Sequence, residues 1–598
     1  MTPILLPAPV DVNLFAQRMP FLPDWRGILL DLLNKLDFTR PQEVIHRSPT
    51  LDLSIFIDTK PKHPQGYWLE IKTSQNKPEI CIRSQTKDGL RNGCATLRQI
   101  LLQSEDHLPT VVIDDYPAFE QRGVMLDISR DRVPLMPDLL HTVDDLAALK
   151  INCLQLYTEH TFAYKTHQIV WRYASPITPT EIQQLDAYCL SKGITLMANQ
   201  NCFGHLERWL KHPEYIHLAE TTGQWQCLGR ARHGPFSLCP IDPRSVDFIE
   251  NLLQQLLPNF ASHIVNIGCD ETFDVGQGRS KAAVEEYGFA KIYADFIDRI
   301  QHIASENDFA SQFWSDIALS HPEALDYLSK DLTALVWGYE PDAPFEKWCE
   351  TLQAKGFQYW VCPGTSAWRS ITGRTYERMA NIQAAVQQGL KSDAKGCLIT
   401  DWGDDGHRQQ WPVSLIGLTE GAARTWNCSV DPNPQAISLF AFGDASGKTA
   451  MWLNDLGDAD LEIRRAGGSP NSALLRNASA LFIDLRTPLQ SQQFIGSTKQ
   501  WQNVFDRLKD LSKTIPTNIA PIISAELEHT LAVALFAAER AVERRKQKPL
   551  SPALKRKFCD ALQNIIAEHK RLWLNRSRPG GLADSAAHYE KILQELQC

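Results

Sequence analysis

Two adjacent carboxyls, Asp270 and Glu271, follow the apolar run Ile264-Val265-Asn266-Ile267 after only a glycine and a cysteine, Gly268-Cys269. Neighbouring carboxylates push each other's pKa values apart, so one stays protonated as an acid while the other keeps its charge. The glycine lets a ligand approach the backbone closely. This combination suits general acid catalysis. The alternative is that the pair caps a helix starting at Thr272.

Other polar residues sit in equivalent places. Eight short apolar runs, at 123–126, 153–156, 194–197, 264–267, 311–314, 334–337, 358–361 and 396–399, alternate with longer amphipathic stretches. After them, in order, come Asp127 and Arg130, Glu159 and His160, Asn199 to His205, Asp270 and Glu271, Asp316, Glu340, Trp368 and Arg369, and finally Asp401, Trp402 and Asp404. Eight βα units are what a closed (β/α)8 barrel needs, and such barrels place their active sites at the C-terminal ends of the strands. The intervening stretches carry helix signals: apolar residues at helical spacing from Pro134 to Leu149, and Thr178-Pro179-Thr180-Glu181 as an N-cap with proline in the first turn. A doubly wound open sheet is the alternative fold.

Four tryptophans, Trp314, Trp337, Trp368 and Trp402, fall at or after these strand ends. Sugar rings pack their C–H faces on aromatic planes, and their hydroxyls need charged or amide partners such as Arg122, Glu159 and His205. Any single tryptophan is explained by core packing; four at one rim are harder to explain that way.

The elements that must position these residues divide the chain into three regions. Residues 1–117 read as a non-catalytic α+β domain, with alternating strands at 51–55, 67–71, 79–82 and 110–113 and a helix over 88–103. Residues 118–430 form the barrel. Residues 431–598 read as a helical domain, in which Leu527, Leu531, Ala534, Leu535 and Ala538 share one helical face. The basic cluster Arg544-Arg545-Lys546 with Lys548 reads as a solvated helix end.

Composition narrows the classes of function. The 598 residues carry a net charge of -9 with no basic stripe, which argues against nucleic acid or an anionic membrane as partner and for a small, weakly charged ligand. The N-terminus lacks a secretory pattern, and no stretch reads as long and apolar enough to cross a bilayer. Fourteen cysteines without a C-x-x-C pair, several inside apolar runs as at Cys153, Cys269 and Cys397, suggest reduced thiols and a cytoplasmic location. No cofactor or metal is expected, and a homodimer is one option for the helical domain, closure of the substrate cleft another.

Over roughly residues 50–430 the chain resembles glycoside hydrolase family 20, the β-N-acetylhexosaminidases. The resemblance rests on Phe119-Glu120-Gln121-Arg122-Gly123-Val124-Met125-Leu126-Asp127-Ile128-Ser129-Arg130, on Gly268-Cys269-Asp270-Glu271, on Phe203-Gly204-His205, and on Trp402 with Asp404 where the family has a tryptophan and a glutamate. It implies that Glu271 is the general acid and that Asp270 orients and stabilises the substrate's 2-acetamido group, whose carbonyl oxygen attacks the anomeric carbon in place of an enzyme nucleophile. It also implies that Arg122 and Asp404 bind sugar hydroxyls and that Trp314, Trp337 and Trp402 wall the acetamido pocket. The chain departs from the family pattern in three places. Tyr157, Glu159 and His160 replace a histidine and an aspartate after strand two; Ala198-Asn199-Gln200-Asn201 replaces a proline-glutamate; and Pro363-Gly364-Thr365-Ser366-Ala367-Trp368 stands where the family has a tyrosine and an aspartate that clamp the acetamido group. The chain thus resembles a divergent branch whose sugar need not be plain N-acetylglucosamine.

Three other functions compete. One is a β-glycosidase on a sugar without an acetamido group, with Glu159 or Asp404 as nucleophile. Another is a carbohydrate-binding barrel without catalysis, for which an acid pair has no use. A metal-dependent hydrolase using His160, His205 and Asp270 is weaker, because no ligand spacing supports it.

Overall fold

The computed structural model describes residues 3–38, 43–74, 77–466 and 474–597. Its first region is a six-stranded sheet of β1 (Asp11–Pro20), β2 (Val44–Arg47), β3 (Asp52–Ile57), β4 (Tyr67–Ser74), β5 (Lys77–Ser84) and β6 (His107–Asp115), in the order β1-β6-β4-β5-β3-β2. β3 and β4 alternate buried and half-buried residues, as expected of strands with one face on a core. The helix Lys87–Gln103 packs on that face, its first turn capped by the Thr86 hydroxyl, which accepts from the Gly89 N–H. The four expected strands and this helix are present. Two edge strands were not expected. β1 has a register shift between Leu14 and Arg18 that breaks its alternation, and β2 has only four residues.

The second region is a closed barrel. Its strands are β7 (Gln121–Asp127), β8 (Cys153–Tyr157), β9 (Thr195–Asn199), β12 (Ile264–Asn266), β13 (Ala310–Trp314), β14 (Thr333–Trp337), β15 (Gln358–Cys362) and β16 (Gly396–Asp401), with a small hairpin of β10 (Gln224–Cys227) and β11 (Arg230–His233) after β9. Each expected apolar run overlaps a barrel strand, with Ile194 just before β9 and Ile267 just after β12. β16 pairs in parallel with β7, Gly396 opposite Gln121, which closes the ring and excludes the open sheet. These strands are buried on both faces, so they read as continuous apolar runs. Between strands and helices lies the main core; inside the barrel is a separate one with Met125, Met197, Leu335, Trp360 and Leu398. Beside this inner core, amides form a small network: Gln155 Nε2 donates to Gln312 Oε1 (2.7 Å), and Asn199 and Asn266 each donate to Gln155 Oε1 at 3.1 Å.

The third region is helical, from Pro434–Phe442 to Leu582–Gln597. By length and apolarity the helix Pro521–Arg545 meets the requirement for crossing a bilayer, contrary to the expectation that no stretch does. In this fold it packs against the helices Thr498–Leu511 and Pro552–Arg576. Its basic end is solvated only in part: Lys546 and Lys548 are exposed, but Arg544 and Arg545 are buried, each 2.7 Å from Asp484 Oδ2, and Arg540 donates to the carbonyls of Asp484 and Thr487. These arginines satisfy the backbone of a loop more than forty residues away, which charge patterning along the chain does not reveal.

Sheet and barrel meet at a buried polar joint. Asp115 accepts from the Tyr67 hydroxyl (2.6 Å) and the Trp426 indole (2.9 Å) and pairs with Lys150 (3.1 Å). Arg122 belongs to this joint. It is the second residue of β7, at the end of the strand away from the site, and donates to the carbonyls of Phe119 (2.7 Å), Glu120 (3.1 Å) and Lys150 (2.9 Å) and to Gln65 Oε1 (2.7 Å), its guanidinium 5.0 Å from the Trp426 ring centre. The expectation that Arg122 binds sugar hydroxyls is therefore corrected: its Nε and Nη1 donate into the domain joint, at the far end of the strand from the site. Arg122→Met leaves these acceptors buried and unpaired, and the expected loss is about 2–4 kcal/mol, measured as a lower urea midpoint. An unchanged midpoint would contradict this role.

Candidate active site

The backbone after β12 is bent into an unusual shape. Gly268, Cys269 and Glu271 all have positive φ, at 71°, 75° and 52°, a region that side chains other than glycine rarely adopt. At Gly268 only glycine fits, since a Cβ would lie 1.6 Å from Asn201 Oδ1. That same oxygen accepts from the Cys269 N–H (3.2 Å), and Asn201 Nδ2 donates to the Tyr157 hydroxyl (2.7 Å). The Glu271 N–H donates to Asp316 Oδ2 (3.1 Å). No helix starts at Thr272; the next begins at Lys281, so the capping alternative fails.

The bend turns both carboxyls toward His205. Its Nε2 lies 3.3 Å from Asp270 Oδ2 and 3.3 Å from Glu271 Oε2. His205 itself has φ 57°, and the Gly204 before it lies so close to the Asp270 carbonyl that a Cβ would approach to 2.5 Å. Burial opposes charge on the imidazole, but the Asp270 carboxylate and hydrogen bonding with both acids outweigh it and hold the pKa well above the ordinary histidine value. Arg130 pushes the other way. Its Nη2 is 3.1 Å from His205 Nδ1, a hydrogen bond only when that nitrogen is unprotonated, because a guanidinium can only donate. In the neutral ring the proton then sits on Nε2, facing the carboxyls.

The acids have different environments. Asp270 is buried, which alone would raise its pKa, yet His205 and then Arg130 bring it below the ordinary carboxylate value. Asp316 is pushed well up by burial and by the charges of Asp270 and Glu271. Glu271 has the most open side chain of the three, 35% exposed. The arrangement thus sets Asp270, shifted toward its charged form, and the more accessible Glu271 on one imidazole, with Asp316, shifted toward its protonated form, behind the Glu271 N–H.

Arg130 organises the opposite wall. Asp127, the last residue of β7, accepts from the N–H groups of Ser129 and Arg130 with Oδ1 and from the Gly403 N–H with Oδ2, so it fixes the loops after β7 and β16 together. Arg130 Nε lies 3.0 Å from Glu159, its Nη1 3.9 Å from Asp404, and its guanidinium 4.6 Å and 5.0 Å from the ring centres of Tyr157 and Trp402. The Tyr157 hydroxyl donates to Glu159 Oε1 (3.0 Å).

Aromatic rings fill the remaining side. Trp314 and Trp402 lie 5.9 Å apart, Tyr157 stands edge-on to Trp402, Trp337 stacks on Tyr339 at 5.2 Å, and Trp368 meets Tyr339 edge-on at 4.9 Å. The Trp402 indole donates to the Tyr339 hydroxyl (2.7 Å). The four tryptophans do gather; Trp314 and Trp368 are both fully buried, Trp368 against Tyr339 rather than Trp402. Among the described residues, Asp270 Oδ1 and the Trp314 indole nitrogen are buried without a hydrogen-bond partner, and the Trp337 indole and the Asp316 carboxyl face each other without a well-formed bond, so polar groups here are left open to a ligand.

Of the residues picked out in the sequence, Asp270, Glu271, Glu159, His205, Trp314, Trp337, Trp402 and Asp404 converge here. His160 does not join them. It is buried near Arg208 and Lys211, and burial with those two charges pushes its pKa down to about 3; among the described residues no group of His, Cys, Asp and Glu side chains is placed to hold a metal, the triad His160, His205 and Asp270 included. Arg130 takes the place expected of Arg122; both flank the same strand, and only Arg130 follows its C-terminal end. Tyr339 was missed outright, and Asp316 was noted only as a residue at a strand end.

The model of glycosyl hydrolase family 20, catalytic domain, matches residues 119–384. The barrel belongs to glycoside hydrolase family 20. A β-hexosaminidase of Vibrio furnissii is 25% identical over 266 residues, 39% of this chain and 43% of that one, and a β-hexosaminidase of Akkermansia muciniphila is 24% identical over 42% of this chain and 57% of its own. The chain thus matches about half the length of these curated relatives. Among solved structures, the family 20 exo-β-N-acetylglucosaminidase of Vibrio harveyi in complex with N-acetylglucosamine has a TM-score of 0.56 at 17% identity, covering 76% of this chain and 78% of that one. The Flavobacterium johnsoniae chitobiase has a TM-score of 0.57 at 16% identity and covers 98% of this chain and 99% of its own. These structural likenesses share the fold.

One group gives a pH signature. Burial, against the pull of Arg130 and His205, pushes Glu159 up to about 7, above the ordinary value of 4.5 expected in the unfolded chain. The fold favours its protonated form, so that contribution is full below the unfolded pKa and is lost as pH rises through about 7. Glu159→Gln is therefore expected to gain stability relative to wild type between pH 5 and pH 8, by at most about 3 kcal/mol, in paired thermal melts. A gap that does not change with pH would contradict this.

Proposed function

We propose that the chain is a retaining exo-β-N-acetylhexosaminidase that releases a terminal N-acetylhexosamine by substrate-assisted catalysis. The observation that carries this reading is the trio of His205, Asp270 and Glu271, with the imidazole 3.3 Å from both carboxyls, beside the clustered rings of Trp314, Trp337 and Trp402. The Vibrio harveyi enzyme solved with N-acetylglucosamine supports the choice of sugar.

In this mechanism the acetamido group lies among the tryptophans, and its carbonyl oxygen attacks the anomeric carbon. Glu271 gives its proton to the glycosidic oxygen as the bond to the aglycone breaks, so the leaving group departs as an alcohol. Asp270, charged and held by His205, accepts the acetamido N–H and stabilises the oxazolinium ion that forms. The Glu271 carboxylate then takes a proton from water, whose oxygen adds to the anomeric carbon and opens the ring with retained configuration. Tyr339, with its hydroxyl at the Trp402 indole, is placed to contact the acetamido group where the stretch after β15 offers no tyrosine. Arg130 and Asp404 bind sugar hydroxyls.

An enzyme carboxylate acting as nucleophile has less support: Glu159 is already engaged by Arg130 and Tyr157, both at 3.0 Å.

The test is kinetic, on aryl 2-acetamido-2-deoxy-β-glycosides. Glu271→Gln is expected to lose about 100-fold or more in kcat/KM where the leaving group is poor and much less where it is good. Asp270→Asn should lower kcat while KM changes little, and Arg130→Ala should lower kcat/KM by about 100-fold. Full activity in Glu271→Gln or Asp270→Asn would overturn the mechanism.

A further inference from the structure

The hairpin of β10 and β11 is fastened to the segment that runs on from Glu271. The Gln226 N–H donates to Gln277 Oε1 (2.8 Å), and Gln277 Nε2 donates to the carbonyls of Gln226 (2.9 Å) and Phe273 (2.6 Å). The Phe273 N–H in turn donates to the Glu271 carbonyl (2.6 Å). One glutamine side chain thus joins the hairpin to the turn that carries the acid. At the tip, Leu228 and Gly229 both take positive φ, 48° and 78°, the conformation of a tight two-residue turn that holds the two strands in register.

That register decides what faces the site. Trp225 stands opposite Arg232 and Cys227 opposite Arg230, and residues paired across an antiparallel ladder project from the same face. Trp225 and Cys227 are buried, packed with Phe236 and the half-buried Phe273. Arg230 and Arg232 therefore lie on the face that the hairpin turns toward the acid's segment, yet both are exposed. The Arg232 guanidinium is 5.7 Å from the Trp225 ring centre and 5.9 Å from that of Phe236. Phe236 meets the His205 ring edge-on at 4.9 Å, and His205 Nε2 is 3.3 Å from Glu271. A single ring thus links Arg232 to the imidazole that holds the acid. The Cys227 thiol registers the same closeness: burial raises its pKa, and the charges acting on it are those of Arg232, Glu271, Asp274 and Arg230.

Neither arginine has an acid of its own. Among the described residues the side chains of Arg230 and Arg232 make no ion pair or hydrogen bond. Asp274 is fully buried and accepts from the Ser237 N–H (3.0 Å). Contact with the ring faces orients the Arg232 guanidinium and leaves its N–H edge open to a planar acceptor.

We infer that Arg232, with Arg230 beside it, binds an acidic group on the leaving part of the substrate: a carboxylate, sulfate or phosphate on the unit attached to the N-acetylhexosamine. The inference rests on the reading of Glu271 as proton donor. The glycosidic oxygen comes to that carboxyl, so the aglycone lies past it, where the hairpin is fastened. The tryptophan cluster shares no ring with the cluster under the hairpin, so sugar and aglycone meet the trio on separate surfaces. A guanidinium grips such an oxyanion through two parallel N–H bonds, whereas a neutral sugar hydroxyl offers one.

The experiment compares kcat/KM of the full chain on two disaccharides, N-acetylglucosamine β-linked to glucuronate or to glucose, leaving groups that differ only in the carboxylate at C6. A neutral aryl N-acetyl-β-glucosaminide serves as the reference. The expected result is a preference of about tenfold for the glucuronate, shrinking as ionic strength rises. The ratio should fall to near one in Arg232→Gln and be kept in part in Arg232→Lys. Cleavage of the aryl glycoside without preference for the glucuronate would overturn this inference alone, as would a preference that Arg232→Gln retains in full. If none of the three glycosides is cleaved, the reading of Glu271 fails and the inference with it. The preference and its salt dependence are read on wild type, so the test holds even where a variant does not fold.

Discussion

The site depends on one contact, the imidazole of His205 lying 3.3 Å from the carboxyls of both Asp270 and Glu271. Adjacent side chains along an extended strand point to opposite faces, so two successive carboxyls reach the same imidazole only if the backbone turns sharply between them. The left-handed conformations from Gly268 to Glu271 make that turn. They are costly for Cys269 and Glu271, and the surroundings must hold them: Asn201 bonds the Cys269 N–H, Asp316 bonds the Glu271 N–H, and Gly204 lets the Asp270 carbonyl close in. Three barrel strands, β9, β12 and β13, thus supply the parts that fix one bend.

Charge extends the same logic outward. His205 is held between acids on one side and Arg130 on the other, and Arg130 is held in turn by Asp127, Glu159 and two aromatic faces. Asp127 also fastens the Gly403 N–H, which couples the arginine to the loop bearing Trp402 and Asp404. The helical region braces this rim from outside, with Asp405 bonded to Arg486 and the Gly406 carbonyl to the Ser585 hydroxyl. The position of the third region is therefore relevant to the site.

Much of this was legible in the sequence because barrel strands are buried on both faces and announce themselves as apolar runs, even β12 with its three residues. The residues after those runs follow from the geometry of any such barrel, which is why Asp270, Glu271, His205 and the tryptophans stood out. What escaped depends on direction or on distant contacts. Arg122 and Arg130 flank one strand, and only the direction of the chain separates an arginine at the domain joint from one in the site. Tyr339 acquires its place from Trp402, 63 positions away. Arg544 and Arg545 look solvated until Asp484 folds against them. The edge strand β1 is interrupted by its register shift, and β2, with only four residues, is too short to identify itself.

The most direct measurement is a comparison of kcat/KM on two aryl β-glycosides with the same leaving group, one with a 2-acetamido group and one with a 2-hydroxyl. Hydrolysis confined to the acetamido sugar is the predicted result, since the attacking oxygen then comes from the substrate and His205 serves only to hold Asp270 and Glu271 in place. Equal or better hydrolysis of the 2-hydroxyl sugar would contradict the account, because an enzyme carboxylate would have to form the bond to the anomeric carbon.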